Sequence, residues 1–121
     1  MKMVIVMRTD LNMRKGKMVA QGAHAAVINV TNILQTDMWK RKQEALRIWV
    51  LEGQRKICVG VETLDELIEL RDRGFEAGIC VTMITDRGDT EFHGASTVTC
   101  LALGPDTDEN LDPITGDLKL L

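Results

Sequence analysis

A short apolar run, Met3 to Met7, ends at Arg8, enters a basic loop containing a glycine and continues as an alanine-rich helical pattern. No polar residue interrupts the run, as expected of a strand covered on both faces. The loop reads Arg8-Thr9-Asp10-Leu11-Asn12-Met13-Arg14-Lys15-Gly16-Lys17, and Met18-Val19-Ala20-Gln21-Gly22-Ala23-His24-Ala25-Ala26 follows. A strand handing over to a helix marks the usual ligand crevice of an open α/β sheet. The helix start offers free backbone N–H groups to an anion. Arg14, Lys15 and Lys17 add three cations there, so the natural guest is a phosphate.

The rest of the chain alternates in the same style. From Gly16 to about Leu34, Val19, Ala23, Ala26, Val27, Val30 and Leu34 recur at three- and four-residue steps, which predicts an amphipathic helix with this stripe buried. Gly22, Ala23, Ala25 and Ala26 keep it slim enough to approach a sheet closely. Thr36 or Asp37 caps a second helix, with Met38, Trp39, Lys42, Leu46, Trp49 and Val50 inward and Gly53 as its stop. Lys56–Val61 is the next strand. Thr63-Leu64-Asp65-Glu66 has the form of a capping box. It opens a helix that buries Leu64, Leu67, Ile68 and Phe75 and ends at Gly78. Ile79–Thr85 and Ser96–Leu103 are strands, the second stopped by Gly104-Pro105. The acidic tail reads as loop as far as Leu118–Leu121. Strands separated by helices imply parallel pairs, and the short polar connection between the last two implies an antiparallel pair. The expectation is one α/β domain over residues 1–121, with a mixed sheet.

Charge is divided unevenly. Residues 1–60 hold 11 Lys/Arg against 4 Asp/Glu, a balance of +7; residues 61–121 hold 4 against 14, a balance of −10. A basic first half favours a polyanionic partner, and the net charge of −3 does not oppose this, because a local patch sets the local field. No apolar run approaches the ~20 residues needed to span a bilayer, and no signal peptide is evident. Cys58, Cys80 and Cys100 lie far apart in apolar strand-like runs and read as buried thiols of a reducing compartment, hence a cytoplasmic protein.

Candidate chemistry is sparse. Cations are unfavourable at a helix N-terminus, so Lys17 is either a solvated helix-start lysine or a residue kept for function. Asp86 ends a strand where α/β sites collect; the alternative is an ordinary turn aspartate. Thr90 and Thr99 carry little signal alone. His24 shares a helix face with Gln21, as a ligand contact or as a structural histidine. With two histidines and no paired spacing, no bound metal is expected. Neither Gly-x-Ser-x-Gly, a Walker A loop nor Gly-x-Gly-x-x-Gly occurs.

The opening segment resembles that of the archaeal and eukaryotic type of peptidyl-tRNA hydrolase: an apolar strand, Arg-x-Asp-Leu-x-Met-Gly-Lys-Gly-Lys, then x-Ala-Ala-Gln-x-x-His-Ala-Ala. Gly53-Gln54-Arg55-Lys56, Ile84-Thr85-Asp86-Arg87-Gly88-Asp89-Thr90, Thr97-Val98-Thr99-Cys100-Leu101-Ala102-Leu103-Gly104-Pro105 and Ile114-Thr115-Gly116-Asp117-Leu118-Lys119-Leu120-Leu121 are similar to its later motifs, in order and with compatible spacing. The resemblance implies a three-layer α/β domain, a four-stranded mixed sheet with helices on both faces. It implies hydrolysis of the ester between a peptide and the 3′ end of tRNA, with no cofactor, and a homodimer. No membrane and no DNA partner are expected. It places the catalytic residues at Lys17, Asp86, Thr90 and Thr99. Arg8, Arg14, Lys15, Gln21 and His24 are then candidates for holding RNA. An alternative use of the same fold is a non-catalytic RNA- or partner-binding module. Arg14 stands where the family has a glycine, Asp89 where a basic residue is common, and the loop Glu91–Ser96 lacks the usual Pro-Gly.

Overall fold

Alternation along the first strand divides the interior in two. In β1 (Lys2–Arg8), Met3, Ile5 and Met7 point to one face of the sheet, Val4 and Val6 to the other, and each set joins a separate apolar cluster. The computed structural model describes residues 1–35, 40–89 and 91–121, with the side chain of residue 40 left aside. After β1 come α1 (Lys15–Gln35), α2 (Lys40–Leu51), β2 (Lys56–Val61), α3 (Leu64–Glu76), β3 (Val81–Asp86), β4 (Thr97–Asp106) and α4 (Asp108–Thr115). The strands form one four-stranded sheet in the order β2-β1-β4-β3. β1 and β2 are parallel; β4 runs antiparallel to both β1 and β3. The mixed sheet is therefore as the sequence predicts.

One face packs Met3, Ile5, Met7, Cys100 and Ala102 under Ala25, Ile33, Leu46 and Trp49 of α1 and α2. The other packs Val4, Val6, Val59, Leu101 and Leu103 under Leu67, Leu70, Leu111 and Ile114 of α3 and α4. Gly74 explains how α3 comes so close. A Cβ there would lie 2.5 Å from Val81 Cγ2 and 2.8 Å from Leu103 Cδ2. The helix-propensity cost of a glycine is thus offset by close packing on β3 and β4. Thr63 caps α3, its side chain accepting the Glu66 N–H; Glu66 reaches back to the Glu62 N–H rather than to that of Thr63. Gly78, at φ +71°, stops the helix.

The structure corrects several expectations. The stripe of α1 read as buried is partly exposed: Val19, Val27 and Leu34 are 72%, 60% and 61% accessible. The buried ridge is instead Gln21, Gly22, Ala25, Ala26, Asn29 and Ile33. Asn29 earns its place because its Nδ2 donates to the carbonyls of Cys80, Ala102 and Gly104, which satisfies a polar group inside the core. Phe75 is exposed, because Gly74 takes the inward position. Cys58 is exposed as well: β2 is an edge strand, and α1 and α2 cover β3 and β4 more than β2. Cys80 and Cys100 are buried, and burial pushes both thiols up to about 11.

β4 does not stop at Gly104-Pro105 but runs on to Asp106. Its register against β1 shifts between Lys2 and Val4, an irregularity where a proline is tolerated. The tail is not a loop either. Thr107 caps α4 by accepting the Asn110 N–H, and Asp108 and Glu109 occupy the favourable first turn. In α2, Ala45, Leu46 and Trp49 are buried and Val50 is half exposed. The predicted caps Thr36 and Asp37 and the inward Met38 and Trp39 lie outside the described residues. Among the described residues no helix is long and apolar enough to cross a membrane.

Candidate active site

Three chain segments meet where β1 ends, β3 ends and β4 begins. The loop after β1 turns at Asn12, which takes the left-handed conformation at φ 54°; Arg14 does not. The arginine in place of a glycine thus requires no special backbone. The Arg14 carbonyl accepts the first helical bond, from the Met18 N–H, and the Arg14 N–H donates to Glu91 Oε2. Lys17 and Gln21, one turn apart on α1, point to the same side. They meet Asp86 at the end of β3.

Lys17 Nζ donates to Asp86 Oδ1 at 2.7 Å, and both side chains are 13% exposed. Gln21 Nε2 donates to the same oxygen at 3.4 Å, and the Gly88 N–H donates to Asp86 Oδ2 at 2.8 Å. The bond from Lys17 holds the Asp86 carboxyl below the ordinary value near 3.8. Partial burial opposes this; the Gly88 N–H and the charges of Lys17 and Arg87 reinforce it. The Phe92 ring lies 5.7 Å from the Lys17 ammonium and closes one side of the site.

Gly88 has φ +86°, and a Cβ there would collide with the backbone of Ala95. Only glycine allows the turn that aims this N–H at Asp86. Thr99 comes from β4. Its side chain is fully buried, and its Oγ1 donates to Gln21 Oε1 at 2.6 Å. Thr90 lies outside the described residues.

The candidate RNA contacts separate by exposure. The Arg14 side chain is 90% exposed, with Glu91 4.0 Å away, and Lys15 is exposed. Arg8 is tied down: its guanidinium donates twice to Asp10 and once to the Val98 carbonyl. Gln21 is 3% exposed and belongs to the Asp86 cluster. His24 is exposed on the wall of a groove of about 370 Å³ that also includes Gln21, Ile28, Met83 and Asp86. Asp89 pairs with Arg87 at 3.0 Å. Sequence reasoning did not single out Glu91, Phe92 or Gly88 for the site. Only Gly88 left a signal, in the turn Asp-x-Gly. Among the described residues no three His, Cys, Asp or Glu side chains converge as a metal-holding group.

A cationic helix start facing a carboxylate at the open end of a mixed α/β sheet is an arrangement able to hold an anionic group and to orient a water. The pattern of the family described as peptidyl-tRNA hydrolase PTH2 matches residues 1–121. The chain is 46% identical over 121 residues to the peptidyl-tRNA hydrolase of Sulfolobus acidocaldarius, covering all of both chains. It is 47% identical over 122 residues to that of Methanothermobacter thermautotrophicus, again with full coverage of both. The figure for the Sulfurisphaera tokodaii enzyme is 49% over 122 residues, covering 99% of this chain and 98% of that one. The chain belongs to the peptidyl-tRNA hydrolase PTH2 family.

Proposed function

We propose that this protein hydrolyses the ester joining a peptide to the 3′ end of tRNA, with Lys17 and Asp86 as the catalytic pair. The observation that carries the assignment to these residues is the 2.7 Å contact between them at the base of the loop. Family membership supports the substrate. The water oxygen bonds to the acyl carbon, the ester C–O bond breaks, and the water's proton ends on the ribose oxygen. Asp86 Oδ2 accepts one protein N–H and has a lone pair left to hold that water. A carboxylate held below its ordinary value is a weak base, so its part is to orient the water and to place Lys17. The Lys17 ammonium then stabilises the oxyanion. Thr90 joins this set by resemblance. Arg14 and Lys15 hold backbone phosphates, beside Gly16, where a side chain would meet open space. Arg8 shapes the loop instead, and His24 faces the substrate groove. The setting is the cytoplasm, as the reduced cysteines suggest.

The protein works as a homodimer in this reading. Support comes from the apolar stripe Val19, Val27 and Leu34, which the fold leaves exposed beside an apolar groove of about 540 Å³ that includes Met18, Ala23 and Cys58. Sedimentation equilibrium of wild type and Val27→Lys tests this; a wild-type monomer at micromolar concentration contradicts it. The activity itself is tested with N-acetylaminoacyl-tRNA in the presence of a chelator. Free tRNA is released if the reading holds, while unblocked aminoacyl-tRNA is cleaved far more slowly. Intact blocked substrate after long incubation contradicts it.

A further inference from the structure

We propose that Thr99 is a positioning residue, acting through the amide of Gln21 to hold Asp86 in its working orientation. This rests on the assignment of Asp86 to the hydrolytic site. Thr99 has no exposed surface, so it touches no substrate in this conformation. Its place follows from an irregularity in the sheet. Ile84 pairs with Cys100 and Thr85 with Val98, so Thr99 is the extra residue of a bulge. Strict alternation would turn Thr99 away from the face that Cys100 shares with α1. The bulge turns its hydroxyl toward α1 instead, as such insertions do.

A hydroxyl carries one proton. Three acceptors lie near it: Gln21 Oε1 at 2.6 Å, the Ile84 carbonyl at 3.5 Å and Cys100 Sγ at 3.8 Å. The short bond takes the proton. With its oxygen fixed there, the Gln21 amide has to present Nε2 to Asp86 Oδ1. Reversed, it would set a carbonyl oxygen against a carboxylate oxygen, and Gln21, 3% exposed, has little solvent around its amide to screen that repulsion. Oδ1 is thereby occupied by Lys17 and Gln21, which leaves the free lone pair on Oδ2. Cys100 Sγ lies 3.4 Å from the Gln21 carbonyl and contributes to fixing this turn of α1 on β4.

The test is kinetic, with N-acetylaminoacyl-tRNA and the full chain. Thr99→Val lowers kcat about tenfold, the loss of roughly one charge-assisted bond, with KM unchanged. Thr99→Ser keeps the hydroxyl and stays within about twofold of wild type. Gln21→Ala loses as much as Thr99→Val, and the double variant is no slower than Gln21→Ala alone, because one chain of bonds is broken once. Losses that multiply in the double variant, or a Thr99→Val enzyme as fast as wild type, overturn the proposal. For the case in which Thr99→Val does not fold, judged by circular dichroism, Gln21→Glu supplies the decision. It sets a second carboxylate against Asp86, so the acid limb of kcat moves upward in pH; an unmoved limb overturns the proposal. Asp86→Asn at the wild-type rate would instead refute the site assignment itself, so the two failures are distinguishable.

Discussion

The Lys17 ammonium sits 2.7 Å from Asp86 Oδ1, and the two side chains are equally shielded, each 13% exposed. They come from the first turn of α1 and the last residue of β3, segments 69 residues apart. The contact with Lys17, not the burial, makes Asp86 hard to protonate. The bond from Lys17 holds the Asp86 carboxyl below its ordinary value, so the group stays ionised through the mildly acidic range. The rate of ester hydrolysis is therefore expected to be flat in Asp86 ionisation from about pH 5 to pH 8. A limb with a midpoint near pH 6 would contradict this.

Stability has the same sign. Asp86 and Asp106 both titrate below the ordinary aspartate value. For Asp106, burial pushes the carboxyl up, but the bonds from Asn110, Lys42 and the Thr107 N–H outweigh it. In the range between native and unfolded values the unfolded chain binds more protons. The stabilisation is thus complete above about pH 5 and is lost as pH falls through the native values. Urea midpoints measured from pH 7 to pH 2 should hold steady and then drop below about pH 4. A midpoint that rises on acidification would contradict the reading.

Gly88→Ala is expected to cost about 1–3 kcal/mol in stability. It places a side chain at φ +86° against the backbone of Ala95 and withdraws an N–H from Asp86. Thermal unfolding measures the first effect and turnover the second; an unchanged rate in the folded variant would show that the Gly88 N–H does not matter to Asp86.

The elements of this fold were largely legible in the sequence, because β1, β2, α3 and the antiparallel pair β3–β4 carry strong local signals: continuous apolar runs, a capping threonine and a short polar connection. The inward face of α1 was not. Periodicity ranks Val19 and Val27 above Gln21 and Asn29, yet Asn29 is buried because the carbonyls of Cys80, Ala102 and Gly104 accept from its amide. A pattern of hydrophobicity does not register polar groups satisfied across the fold. α4 was hidden by Pro113 inside it and by its acidity, although Thr107 marked its start. At the site, Lys17 and Asp86 stood out through their junction positions and the family resemblance. The place of Thr99 behind Gln21 depends on a bulge, and a bulge is a property of paired strands rather than of one segment.

Binding of tRNA should weaken with salt. Arg14 and Lys15 are the exposed cations of the loop, so the slope is expected to correspond to roughly two to four phosphates. Arg14→Ala and Lys15→Ala should each reduce it by about one, for different tRNAs alike. Titrations of uncharged tRNA at several salt concentrations give the slope directly, and salt-independent binding would refute the phosphate contacts.

The most direct test of the account is single-turnover hydrolysis of N-acetylaminoacyl-tRNA, at saturating enzyme, by wild type, Lys17→Met and Asp86→Asn. Saturation removes differences in binding and leaves the chemical step. The account predicts intact folds and rates lowered about a hundredfold or more in each variant, as for loss of one transition-state contact. The double variant should be little slower than either single one, because the two residues act as a unit. Wild-type rates in either single variant would contradict it.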